Sequence, residues 1–434
     1  VSLRSGPSHK TEMLSQVLYV YLIVFFPEIV RVTLKTMFIV VLIVSFIALT
    51  RIGLSFPDRN IIPLIPYAII PVIIRTFYDT RLAIFVMMIA SALLSFFVPG
   101  SSETGFMMFL SGFAAIFSLV NYHRRGKFFI TAIAVIITCS VLHTSLALLN
   151  HGSLKSVSLS NYLAFIINGL LLLLSYPIIF VFENRFKFLS DTTLLELANT
   201  SQPLLRKMAE EAPGSFQHSM QVANLAEEAA RITGANPLLA RAGALYHDIG
   251  KISSPIHFSE NQNNNINPHE ELNPEESAKI IIRHIESGIV LAKNFKIPGQ
   301  IIDFIKTHHG TSVAWYFYRK YTDMEPWDTA REKEFSYPGP KPFSKETAIV
   351  MMADAIEAAS RSLSSLTEKS IDELVERIVL LQEQDGQYSD VPFTYKDISD
   401  IKETFKKRLT TIYHVRVAYP EREGLNLGVD NTVI

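Results

Sequence analysis

Seven apolar segments follow one another before residue 184, and any fold for this chain must first accommodate them. They run Leu14–Val30, Leu34–Ile52, Ile61–Ile74, Leu82–Val98, Phe106–Val120, Phe128–Leu149 and Tyr162–Phe182. A helix needs about 20 mostly apolar residues to cross the hydrocarbon core of a bilayer, with about 17–25 tolerated. The first and third segments are interrupted by proline, Pro27 in one and Pro63, Pro66 and Pro71 in the other. The other five read directly as spans. A buried core in a soluble protein does not require seven such runs in succession, so the expectation is a membrane bundle over 14–183.

Charge sets the orientation, because cytoplasmic loops carry an excess of Lys and Arg. Alternate connections hold Arg31 and Lys35, then Arg75 and Arg81, then Arg124, Arg125 and Lys127. The intervening ones hold Arg51 and Arg59, then neither residue type in PGSSETG, then Lys155. The first set is expected in the cytoplasm. Seven crossings then place the N-terminus outside and everything after Phe182 inside, as in a multi-pass protein of the bacterial inner membrane.

The remainder has a different composition. Residues 1–180 contain only 5 of the 41 acidic and 12 of the 40 basic residues, so the overall charge of −1 hides an acidic second half. That balance argues against a nucleic-acid polymer as partner, which would call for a basic patch. The one cysteine, Cys139, lies in an apolar run, which excludes a disulfide framework or thiolate metal site. The first residue is Val1, so an upstream segment is expected, and 1–13 is read as the remnant of an extracellular part. No charged n-region and cleavage site bracket the first apolar run, so no signal peptide is read there.

After the spans, 184–212 reads as a helical connector with Leu194, Leu195, Leu197, Leu204 and Leu205. From 213 to 420 the pattern is helix after helix, and 421–434 is polar and expected to be loose. Asn236-Pro237, Asn273-Pro274 and Ser344 are helix starts. Gly234 and Gly310 are helix stops. The fold class expected is all-α throughout.

Histidine carries the chemistry of this second half. His247-Asp248 ends a helix in LYHDIGK, and His308-His309 ends another in FIKTHHG. His218 heads a stripe through Val222, Leu225, Ala229 and Ile232, whose spacing places it on a buried helix face. His284 shares a helix face with Ser277, Ile281 and Gly288. Asp354 lies in the apolar helix AIVMMADAIEAASR, where a charge is costly unless paired or bound to metal. Each alone has an ordinary structural explanation. Five histidines and two aspartates on helices that face one core point instead to a metal site. Imidazole and carboxylate without thiolate suit iron, manganese or zinc rather than calcium. Two such metals about 3.5–4 Å apart polarise a phosphoryl group and activate water at neutral pH.

The motifs EAPGSFQHS, ALYHDIGK, FSENQ, NPHEEL, HHGT, FSYPGPKP and ADAIEAASR, in that order, resemble those of the PgpH-type seven-transmembrane HD phosphodiesterases. The resemblance extends from the spans to about Pro420. It implies an HD domain that hydrolyses cyclic di-AMP to linear pApA with two divalent metal ions, iron or manganese. It implies His218, His247, Asp248, His284, His308, His309 and Asp354 as ligands. Asp248 would bridge, His218, His247 and Asp354 would complete one metal, and His284, His308 and His309 the other. One departure is Gln217 before His218, where relatives often carry a second histidine. Relatives also carry a large extracellular domain ahead of the spans, through which an external signal would enter.

Lys251 follows the His-Asp pair at an offset from which it could reach a phosphate oxygen, as a catalytic and substrate-binding residue. The cluster Trp315, Tyr316, Phe317, Tyr318 and Trp327 reads as packing of a lid or helix ahead of purine stacking. His257, His269 and His414 are read as non-ligands. Other readings are hydrolysis of cyclic di-GMP or another nucleotide, and a receptor or transporter whose degenerate HD domain only binds ligand. Against the first, the GYP element of the cyclic di-GMP branch is absent after the HHG turn, where HHGTSVAWYFY stands. Against the second, every ligand position is filled. Self-association is left open.

Overall fold

The computed structural model describes residues 7–413, apart from 32, 57–58, 98–101, 120–125, 153–157, 187, 263–266, 326–328 and 364–366. The expected tail, His414 and Trp327 therefore lie outside the described residues. The chain divides into two compact units, Val1–Leu195 and Glu196–Ile434.

In the first unit the helices are α1 (Pro7–Phe25), α2 (Pro27–Arg31), α3 (Thr33–Ser55), α4 (Ile69–Phe77), α5 (Thr80–Phe97), α6 (Ser102–Ser118), α7 (Lys127–His151), α8 (Leu159–Leu172) and α9 (Ser175–Phe186), with α10 (Asp191–Leu197) after them. α1 begins at Pro7, inside the stretch read as an extracellular remnant. Three stretches, Thr33–Ser55, Lys127–Asn150 and Leu159–Glu183, are long and apolar enough to cross a membrane. Glu12–Phe25, Ile61–Phe77, Thr80–Phe96 and Glu103–Ser118 are shorter apolar helical stretches. Large apolar side chains face outward as well as inward: Leu159 is 83% and Leu163 60% exposed, while Ile39, Ile70 and Leu82 are fully buried. Helices that are apolar all round belong in lipid.

Proline explains where the apolar segments break. Phe26 leaves the helical conformation ahead of Pro27, since a residue before proline is pushed out of the α region. In the third segment a 3₁₀ turn, Arg59–Leu64, precedes the break at Ile65 and Pro66 before α4. The carbonyls freed there are taken up by Asn168, whose Nδ2 donates to Pro63 O at 3.0 Å and Ile65 O at 2.8 Å. A neighbouring side chain that re-satisfies broken backbone is what membrane depth requires. The seventh segment, expected as one helix, is divided between α8 and α9. Pro177 has no N–H to offer Leu173 O, and the chain tightens into Leu173 N→Leu170 O and Leu174 N→Leu171 O bonds of 3.1 and 3.0 Å.

The second unit contains α11 (Pro203–Glu211), α12 (Pro213–Ile232), α13 (Pro237–Tyr246), α14 (Pro274–Ile282), α15 (His284–Asn294), α16 (Gly299–Thr307), α17 (Trp315–Met324), α18 (Lys345–Ser360), α19 (Glu368–Gln384) and α20 (Tyr395–Tyr413). No strand occurs among the described residues; Val313 and Ser336 form an isolated bridge. α12 is the central helix, packed on α13, α18 and α20, while α13 also packs on α16 and α18. Its apolar stripe is buried at Val222, Leu225 and Ala229, but Ile232 is exposed because the helix ends there. The expected starts are capped. Asn236 Oδ1 accepts from Leu238 N and Leu239 N, and Asn273 and Ser344 form capping boxes with Glu276 and Thr347.

Candidate metal centre

Each expected ligand stands at or near a helix end, or on a helix face, that points into one buried space. His218 leaves the first half of α12, His247 caps α13, and Asp248 opens the 3₁₀ turn Ile249–Ser253. His284 is the first residue of α15, since the chain breaks at Arg283 between α14 and α15 where the sequence suggested one continuous face. His308 caps α16, His309 follows it, and Asp354 lies within α18. Gly250 lets these pieces converge. A β-carbon there would lie 1.8 Å from His284 O and 2.6 Å from Gly288 N, so the His-Asp turn can lie against α15 only with glycine at this position.

Two groups of donors result, His218 with His247, Asp248 and Asp354, and His284 with His308 and His309. Asp248 stands between them. Its Oδ2 lies 3.2 Å from His247 Nε2 and 3.6 Å from His218 Nε2, and its Oδ1 lies 3.5 Å from His284 Nε2 and 3.6 Å from His308 Nε2. Asp354 Oδ1 is 2.8 Å from His218 Nε2, and its Oδ2 is 3.8 Å from His309 Nδ1. His309 stacks on Tyr337 of the FSYPGPKP motif, with ring centroids 4.2 Å apart.

The donor set fits cations. Asp248 Oδ1 and His247 Nε2 are buried and lack a hydrogen-bond partner, an arrangement that is costly without something to bind. The imidazoles are oriented for it. His247 and His284 donate Nδ1–H to Ala244 O and Ile281 O, each at 2.6 Å, and His308 donates Nδ1–H to Phe304 O and Ile305 O at 3.1 and 3.0 Å. That leaves their Nε2 atoms facing the shared space.

Protonation differs across the site. Burial pushes His247 down, but Asp248 beside it outweighs burial and holds the imidazole at about 10. His218 is likewise raised, against burial, by Asp354 and Glu357. Burial pushes His284 down to about 3, and burial with the neighbouring His308 holds His309 well below the usual range. Burial alone would raise Asp248, yet His247 and Lys251 hold it well below the usual carboxylate range.

A cation arriving at His218 and His247 must therefore displace protons, whereas His284 and His309 are already neutral. Metal affinity should rise with pH toward about 10, because raising pH removes the competing protons. Calorimetric titration at pH 7 in buffers of different ionisation enthalpy should show release of about one to two protons per chain. Binding without proton release would contradict the charged state assigned to His247.

The other singled-out residues sort clearly. Lys251 lines the same cleft, but its Nζ is ion-paired with Asp248 Oδ2 at 2.8 Å and Glu260 Oε1 at 2.7 Å. Phe317 and Tyr318 are buried with Tyr321 and Phe335 and pack α17, while Trp315 and Tyr316 are largely exposed. His269 Nε2 donates to His257 O at 2.9 Å, and neither residue belongs to the donor groups.

Both parts of the chain are similar to known proteins. Residues 12–190 match the family model "7TM receptor with intracellular HD hydrolase", and residues 215–359 match the HD domain. The cyclic-di-AMP phosphodiesterase PgpH of Bacillus subtilis is 37% identical over 373 residues, covering 84% of this chain and 52% of its own length. PgpH of Listeria monocytogenes is 37% identical over 366 residues, covering 83% and 51%. The chain belongs to the PgpH-type seven-transmembrane HD family. It spans about half the length of the curated relatives it matches. The crystal structure of the Listeria monocytogenes PgpH HD domain in complex with cyclic-di-AMP covers 50% of this chain and all of its own, at 43% identity and a TM-score of 0.47.

HD-family membership implies divalent-metal binding, consistent with the donor groups. Two neighbours of the site carried no signal as single residues. Glu260 of FSENQ pairs with Lys251 and accepts a hydrogen bond from Ser215 Oγ at 2.8 Å. Glu357 of ADAIEAASR accepts from His218 Nδ1. In both cases the motif was legible but the contact, across 45 and 139 residues of chain, was not.

Proposed function

We propose that this chain is a metal-dependent phosphodiesterase that cuts cyclic di-AMP to linear pApA, in preference to cyclic di-GMP, with two iron or manganese ions. The observation that carries the reading is Asp248, whose two oxygens each face a separate group of imidazoles. In this reading His218, His247, Asp354 and Asp248 hold one ion, and His284, His308, His309 and Asp248 the other. When bound, the two cations supply Lewis-acid polarisation of the phosphoryl group and activation of water.

The chain's own residues do the rest. A cleft of about 430 Å³ opens over the site, lined by His218, Lys251, His308, His309, Asp354 and Arg361 among others, within the usual range for small-molecule sites. Lys251 Nζ, beside Asp248 at the cleft wall, offers charge to a non-bridging phosphate oxygen. Water adds to phosphorus, the P–O3′ bond breaks, and the released 3′ oxygen takes up a proton. Cutting one of the two phosphodiesters leaves a linear dinucleotide with a 5′-phosphate.

Base preference is supported by the PgpH relatives and by the absence of a GYP element after the HHG turn. Competition kinetics on the metal-loaded chain test it. A higher kcat/KM for cyclic di-AMP is expected, and equal or higher kcat/KM for cyclic di-GMP would overturn it. Lys251→Ala should slow turnover while metal content stays at two ions. Loss of metal in that variant would make Lys251 a support of Asp248 instead.

We further propose seven crossings over 14–183, with the N-terminus outside, a connector over 184–212 and an HD domain over 213–420 in the cytoplasm. The Lys- and Arg-bearing loops support this orientation. A reporter fused after Ile434 should work only in its cytosolic form, and activity of a periplasmic reporter would reverse the topology.

A further inference from the structure

Of the four buried histidines in the site, three have Nδ1 held by a neutral backbone carbonyl. The fourth, His218, donates Nδ1–H to the carboxylate of Glu357, which is itself 4% exposed. Glu357 follows Asp354 by three residues on α18, so the two carboxylates leave the same helix face. His218 sits between them, with Nε2 2.8 Å from Asp354 Oδ1 and Nδ1 on Glu357 Oε2. The remaining oxygen of Glu357, Oε1, accepts from Arg361 Nε at 2.9 Å and Nη2 at 2.6 Å. Arg361 lies one turn further along and reaches the cleft with a side chain 37% exposed.

This makes the two donor groups unequal. A carboxylate accepting from a ligand imidazole forms a charge-assisted hydrogen bond and raises the basicity of the nitrogen that faces the metal. The group around His218 has Glu357 of its own and Asp354 at 2.8 Å, nearer than the 3.8 Å at which Asp354 comes to His309, besides its share of Asp248. The group around His284, His308 and His309 has three imidazoles and the other half of Asp248.

We infer that Glu357 is a positioning residue that makes the His218–His247–Asp248–Asp354 position the tighter of two metal positions, with Arg361 fixing Glu357 in place. The inference rests on the dinuclear reading of the site. It acts through His218 and requires no contact between Glu357 and metal or substrate.

The test is titration of the full chain with manganese(II) alone, after chelation, followed by calorimetry. The wild type should fill two positions in two resolved steps. Glu357→Gln keeps an acceptor for Nδ1–H but removes the charge, and should weaken the tighter step by about 10–100-fold, leaving the weaker step unmoved. Glu357→Ala, which removes the acceptor too, should weaken it at least as much. A selective change in one step is not expected of a residue that only props the fold. Arg361→Gln leaves His218 and Glu357 intact on a part-exposed position, and should weaken the same step by a smaller factor. Unchanged affinities in Glu357→Gln, or loss confined to the weaker step, would overturn the proposal. If Glu357→Gln does not fold, an Arg361→Gln chain with wild-type affinities would overturn it alone. A wild type that binds a single equivalent would sink the dinuclear reading itself.

Discussion

Asp248→Ala should abolish turnover and lower metal content below two ions per chain. The substitution removes the most buried carboxylate, whose two oxygens face the two donor groups, and leaves five imidazoles, Asp354 and Lys251 around a cavity. Removing one partner of a buried charge pair costs about 3–5 kcal/mol, which corresponds to roughly 10²–10⁴-fold in affinity for a cation held there. Lys251 also loses its 2.8 Å partner and keeps only Glu260. Inductively coupled plasma mass spectrometry and rate measurement on the same sample check both halves. Wild-type metal content and rate in Asp248→Ala would show that the aspartate has another role.

Chelation should produce the second-largest effect, a lowered melting temperature for the second unit. Asp248, Asp354 and four of the surrounding imidazoles, His218, His247, His284 and His308, are buried, and Asp248 Oδ1 has no hydrogen-bond partner. A ligand that binds only the native state stabilises it by about 4 kcal/mol at a thousandfold excess over its dissociation constant. For a domain of this size each kcal/mol shifts the midpoint by about 2–4 °C, so a shift of roughly 8–16 °C is expected on manganese addition. Circular dichroism melts of the full chain, stripped and reloaded, give the comparison. Superimposable melts would mean that the buried donors do not bind the ion.

That these His and Asp residues come together was legible because most of them occupy positions that helix geometry constrains. His218 heads an apolar stripe, the His247-Asp248 and His308-His309 pairs end helices, and Asp354 is a charge in an apolar run. The Asn-Pro and Ser344 starts were legible for a similar reason, since a cap is a local hydrogen bond within three residues of its signal. Two local breaks were not foreseen. Pro177 lies inside an apolar segment whose composition reads as one helix, and its missing N–H divides α8 from α9. The break at Arg283 falls in AKIIIRHIES, where no proline or glycine announces it. Glu357 and Glu260 went unseen because their roles are contacts between distant elements. Glu357 did carry a faint signal, three residues from Asp354 on the same face, that helical periodicity alone could have exposed.

The most direct test of the dinuclear account is one sample of full chain, loaded with manganese, in which bound metal is counted and the products from cyclic di-AMP are identified by mass spectrometry. Two ions per chain and linear pApA as the product are expected, with both activity and metal lost together on chelation. Full turnover in a sample stripped of metal would contradict the account.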